Sequence, residues 1–81
     1  MEITRGAVVR SGAGRDKNGF FVVLGVEKDF IVICDGKRRS LEHPKRKNIK
    51  HLFMTSTRVE ESSMQSNKGI RKALSFLNNK I

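Results

Sequence analysis

Tryptophan and tyrosine are absent from this 81-residue sequence, and cysteine and proline occur once each. A single cysteine cannot close an internal disulfide, so the chain has no covalent framework and fits a reducing compartment. Without Trp or Tyr, stacking on a base would fall to the five Phe or to Arg planes. Long apolar runs are also missing. The longest, Phe20 to Leu24, falls far short of the ~20 residues that a helix needs to cross a bilayer. The opening Met1-Glu2-Ile3-Thr4-Arg5 leads into a short β-like segment and does not resemble a signal peptide, so a cytoplasmic location is expected. Acidic residues are scarce: 8 Asp and Glu stand against 17 Lys and Arg, a formal charge of +9.

That charge on so small a body attracts polyanions. Nucleic acid is the stronger candidate. A membrane surface is the weaker one, because no apolar segment is long enough to span it. One domain is the limit, and a domain of this size hides only ~60% of the surface its unfolded chain exposes. It offers no deep cleft for a small-molecule substrate.

Residues 1 to 59 read as strands and turns. Ala7-Val8-Val9 is a first short apolar run, broken at Ser11-Gly12-Ala13-Gly14. Phe20 to Val26 is the strongest strand, aromatic and β-branched, and Phe30 to Cys34 is the next. Asp35-Gly36 predicts a two-residue hairpin, since a type I′ turn needs positive φ at both positions. Lys37 to Glu42 is then the returning strand, exposed and edge-like. Pro44 ends it, and Lys45 to Leu52 follows as a dense basic loop. Phe53 to Val59 can supply one more strand. Val8, Val22, Leu24, Val32 and Ile33 are the expected core. Adjacent Phe20 and Phe21 must point to opposite faces, so one needs a cover outside the sheet.

Residues 60 to 66 read as a polar linker. Beyond them the period changes: Ile70, Ala73, Leu74, Leu77 and Ile81 share one helical face. The pattern predicts a C-terminal amphipathic helix of about three turns, capped by Ser66 or Asn67. Its apolar stripe is the only cover available for the outer face of the strands. Closely spaced strands and turns plus one helix predict a mainly β protein, a small barrel of about five strands.

The run Gly6-Ala7-Val8-Val9-Arg10-Ser11-Gly12-Ala13-Gly14-Arg15-Asp16-Lys17, followed by Phe20-Phe21-Val22-Val23, resembles a KOW motif. The continuation Ile33-Cys34-Asp35-Gly36-Lys37 and His43-Pro44-Lys45-Arg46-Lys47-Asn48 is similar to bacterial KOW-domain RNA-binding proteins. Those in turn resemble a set of archaeal and eukaryotic large-subunit ribosomal proteins. The resemblance covers residues 3 to about 52 and implies an SH3-like β-barrel in contact with structured RNA, above all ribosomal RNA, with ribosomal proteins as further neighbours. Motifs of this type often place glycine directly after the Asp-Lys pair. Here Asn18 stands there, with Gly19 next, so the turn is expected to be longer. Residues 54 to 81 carry no resemblance.

Three basic groups are candidate phosphate contacts. Lys45, Arg46 and Lys47 with Lys50 put four cations within six residues. Arg15 and Lys17 flank Asp16, which is expected to position a neighbouring cation. Lys37, Arg38 and Arg39 follow the turn, and strand alternation would keep them off a single face. In isolation each could be a solvated charged loop; the overall charge favours phosphate contact.

Other chemistries find little support. Gly14 to Gly19 has the Gly-x-x-x-x-Gly spacing of a P-loop, but Phe20-Phe21 replaces the residues that grip phosphate and magnesium. Cys34, His43 and His51 match no zinc spacing. No nucleophile has an oriented base. The sequence therefore predicts an RNA-binding protein, with no catalytic activity, metal or cofactor. The rival is an SH3-like module that binds protein in transcription or translation.

Overall fold

The computed structural model describes residues 3–78. Five strands, β1 Ala7–Ser11, β2 Phe20–Glu27, β3 Phe30–Cys34, β4 Lys45–Asn48 and β5 Leu52–Arg58, precede one helix, α1 Asn67–Asn78. Short 3-10 turns occupy Gly14–Asp16, Ile49–His51 and Glu61–Gln65. All strands join one antiparallel sheet in the order β4-β3-β2-β1-β5.

The two edge strands of that sheet are consecutive in the chain, joined only by the turn Ile49–His51. In a flat sheet they would lie ~19 Å apart, four strand spacings of ~4.8 Å. A 3-10 turn advances only ~2 Å per residue. The sheet must therefore curl to bring β4 towards β5. Bulges between Val23 and Gly25 and between Ala7 and Val9 supply local bending. The result is the expected mainly β fold, a curled five-stranded sheet with a C-terminal helix, its ladder left open between β4 and β5.

Adjacent apolar residues feed two cores. Val9, Phe21, Val23, Ile31, Ile33 and Leu52 pack on the inner face. Val8, Val22 and Cys34 point the other way and pack with Val59, Met64, Ile70 and Leu74. Phe21 enters the inner core and Phe20 packs on the outer one, as two neighbours on a strand must. Ile70, Ala73, Leu74 and Leu77 present the expected helical stripe to the sheet; Ile81 lies outside the described residues. Ser66 caps the helix, its Oγ accepting from the Gly69 N–H at 3.0 Å. A side chain at Gly69 would collide with the Ser63 carbonyl, so this glycine permits close approach of the preceding turn.

Four expectations change. Lys37 to Glu42 forms no strand; the partner of β3 is Lys45–Asn48, after Pro44. Asp35-Gly36 makes no two-residue hairpin, because the Asp35 carboxylate accepts from the N–H groups of Lys37 and Arg39, both at 2.9 Å, and opens a wider loop. Residues 60 to 66 are more than a polar linker, since Met64 is buried in the outer core. Of the five expected core residues, Val8, Val22 and Ile33 are fully buried, whereas Leu24 and Val32 are half-buried. Leu24 sits at the bulge, and Val32 faces away from the inner core.

Candidate nucleic-acid interface

The turn Gly14–Asp16 places the Asp16 side chain inside the protein, 3% exposed. Its Oδ2 receives the Arg39 guanidinium at 3.2 Å and lies 3.8 Å from the Lys47 ammonium. Lys47 Nζ also donates to the Ala13 carbonyl at 2.8 Å. One carboxylate thus ties together the β1–β2 turn, the loop after β3 and strand β4. Arg39 Nε is buried without a hydrogen-bond partner.

The loop 35–44 is held from both ends. Asp35 shapes its start. Asn67, at the start of α1, accepts from the Leu41 N–H at 2.7 Å and donates to Glu42 Oε1 at 2.8 Å. The Asn67 bond holds the Glu42 carboxyl below the usual glutamate range. Arg71 Nη1 donates to the Gly36 carbonyl at 3.0 Å. Gly36 has φ +77°, and a Cβ there would strike the Asn67 carbonyl, so only glycine lets the loop lie against the helix.

Two basic concavities flank this loop. One, of about 600 Å³, is lined by Arg15, Arg38 and Arg39. The other, of about 640 Å³, lies between the loop and α1 and is lined by Lys37, Lys68, Arg71 and Lys72, with Asp35 the only carboxylate.

The nine residues expected from sequence divide accordingly. Arg15, Arg38 and Arg39 come together from separate loops, and Lys37 points into the other concavity. Lys17 and Lys50 are exposed but line neither, and Lys45 is half-buried. The expected contiguous basic loop 45–47 is instead a strand, whose alternation sends Arg46 away from Lys45 and Lys47. Arg46 pairs with Glu27 at 3.0 Å and lies 5.3 Å from the Phe30 ring centroid. Lys47 is buried, its ammonium engaged with the Asp16 carboxylate and the Ala13 carbonyl. The sequence reading overlooked Lys68, Arg71 and Lys72. Their signal was a helix, Asn67–Asn78, with three cations and no acidic residue.

Among the described residues, no group of three or more His, Cys, Asp or Glu could hold a metal ion. Cys34 is buried, and desolvation pushes its thiol up to about 11. No helix among the described residues is long and apolar enough to cross a membrane. The chain matches no family model, and no curated protein is significantly similar to it.

Proposed function

We propose that this protein binds structured RNA, with ribosomal RNA the first candidate, through phosphate contacts made at the turn 14–17 and the loop 35–44. The observation that carries the reading is the convergence of Arg15, Arg38 and Arg39 on one concavity whose nearby carboxylate, Asp16, is turned inward. Asp16 compensates Arg39 and Lys47 from within and leaves the guanidinium groups of Arg15 and Arg38 facing solvent. An Arg fork matches the oxygens of a phosphate, and a phosphodiester would relieve the mutual repulsion of the cluster.

Further support comes from the +9 charge and from the KOW resemblance, whose glycine-rich turn coincides with Gly14–Asp16. Recognition would rest on shape and charge, because A-form RNA hides its major-groove base edges. A lone, buried cysteine fits a reducing compartment, and on this reading the protein works in the cytoplasm beside the ribosome.

The test is fluorescence anisotropy with two structured RNAs of unrelated sequence across a salt series. The expected result is similar affinity for both and a linear fall of log affinity with log salt. Treating a cell-extract pull-down with RNase separates the rival: an RNA binder loses its partners, whereas a protein-binding SH3-like module keeps them.

A further inference from the structure

Helix α1 covers the outer core with one face, but its other face is electrostatically unusual. Lys68, Arg71 and Lys72 crowd its first half, and the helix Asn67–Asn78 contains no Asp or Glu. Lys68 and Lys72 are like charges at i, i+4, a spacing that destabilises a helix. Cations near a helix N-terminus also oppose its dipole, which favours them at the other end. Yet α1 has no acidic residue in its first turn and no basic residue in its last. Among the described residues, none of Lys37, Lys68, Arg71 and Lys72 has a carboxylate within ion-pair distance. Asp35 lines the same groove, but it is one carboxylate against four cations, and its Oδ1 accepts from two backbone N–H groups. The helix amide end is not the feature at issue, since Ser66 satisfies the Gly69 N–H.

A surface helix shaped for stability alone would carry Glu at such positions. Cations that break the local rules in three ways, and gather on one groove, mark a place where an anion supplies the missing compensation. We propose that the groove between the loop 35–44 and α1 is a second RNA-backbone site, in which Lys37, Lys68 and Lys72 hold consecutive phosphates; this rests on the RNA-binding reading above. Lys68 and Lys72 stand one helical turn, ~6 Å, apart along the axis. That step is comparable to the spacing of neighbouring phosphates on one strand. Arg71 is a positioning residue here, since its bond to the Gly36 carbonyl fixes the loop that presents Lys37. The helix is then both a cover for the barrel and half of the RNA interface.

The test compares the full chain with Lys68→Ala/Lys72→Ala and, separately, with Arg15→Ala/Arg38→Ala, by anisotropy across salt with the same two RNAs. The helix variant should keep or raise its melting temperature, because alanine favours helix and the like-charge pair is gone. Its log affinity against log salt should become shallower by about two units, to a similar extent for both RNAs. An unchanged slope in the helix variant, with the arginine variant impaired, overturns the groove and leaves the RNA reading intact. No salt-dependent RNA binding by the parent chain overturns both. Partners that survive RNase but are lost in the helix variant overturn RNA as the occupant and point to an acidic protein instead.

Discussion

Asp16 and Arg39, 23 residues apart in the chain, meet at 3.2 Å with the Asp16 carboxylate almost wholly withdrawn from solvent. The contact explains how a loop without regular structure can hold an arginine in place. It also explains why an acidic residue sits in the middle of a basic turn: the carboxylate is an internal counter-ion to Arg39 and Lys47.

Removing that counter-ion should be costly. Asp16→Ala leaves Lys47 buried without its opposite charge and releases Arg39. Breaking a fully buried pair costs about 3–5 kcal/mol, and the partial exposure of Arg39 reduces this to about 2–3 kcal/mol. In a domain of this size that is a fall in Tm of roughly 10–20 °C, read by thermal unfolding. A change of a degree or two would show that the carboxylate is dispensable.

Cys34 reports on helix docking. Its thiol lies in the core that Ile70 and Leu74 complete, and burial raises it to about 11. At neutral pH it should resist a thiol reagent until the helix detaches. Leu74→Ala should destabilise the fold by about 2–5 kcal/mol and speed Cys34 labelling. Rapid labelling of the parent chain would contradict the packing of α1 on the sheet.

The cores were legible because β-branched and aromatic runs broadcast both faces of a strand. Val8-Val9 and Phe20-Phe21 demanded cover on two sides, and the stripe from Ile70 to Leu77 answered it. Strand β4 was illegible for the opposite reason. Lys-Arg-Lys-Asn contains no apolar residue, so nothing in its pattern distinguishes an edge strand from a basic loop. Lys47 is buried through its ammonium contacts with Ala13 and Asp16, partners far away in sequence. The loop 35–44 escaped because Asp35 can open a hairpin or bond the amides beyond it, and the choice depends on Asn67 and Arg71 of the distant helix. Charge and position beside a turn singled out Arg15 and Lys37 to Arg39. Their division between two concavities needed the fold.

Stability should also respond to acid in a defined direction. The bidentate Arg5 contacts, at 2.9 and 2.7 Å, hold the Glu61 carboxyl below its ordinary range, and Asn67 does the same for Glu42. Both groups have lower pKa values folded than unfolded. Their contribution is therefore complete above the ordinary glutamate range and is lost as pH falls through the lower folded values. The Tm difference between the parent chain and Glu42→Gln/Glu61→Gln should be present at neutral pH and shrink on acidification. Because both side chains are exposed, added salt should reduce the Glu61 part. A difference that grows with acid would reverse the sign argued here.

Burial also separates cations that bind from cations that brace. Arg15 and Arg38 are exposed, and neither has an ion-pair partner among the described residues. Replacing both by alanine should leave Tm nearly unchanged, as surface substitutions usually do. It should make the salt dependence of RNA binding shallower by about two units, one for each lost phosphate contact. Lys47→Ala should behave in the opposite way. It strips a partner from Asp16 and the donor from the Ala13 carbonyl, so Tm falls. The salt slope measured on the folded fraction should stay as it was, because the ammonium is engaged with Asp16 and the Ala13 carbonyl. A Lys47 variant of normal stability with a shallower slope would place that ammonium on the RNA and undo its assignment to the interior.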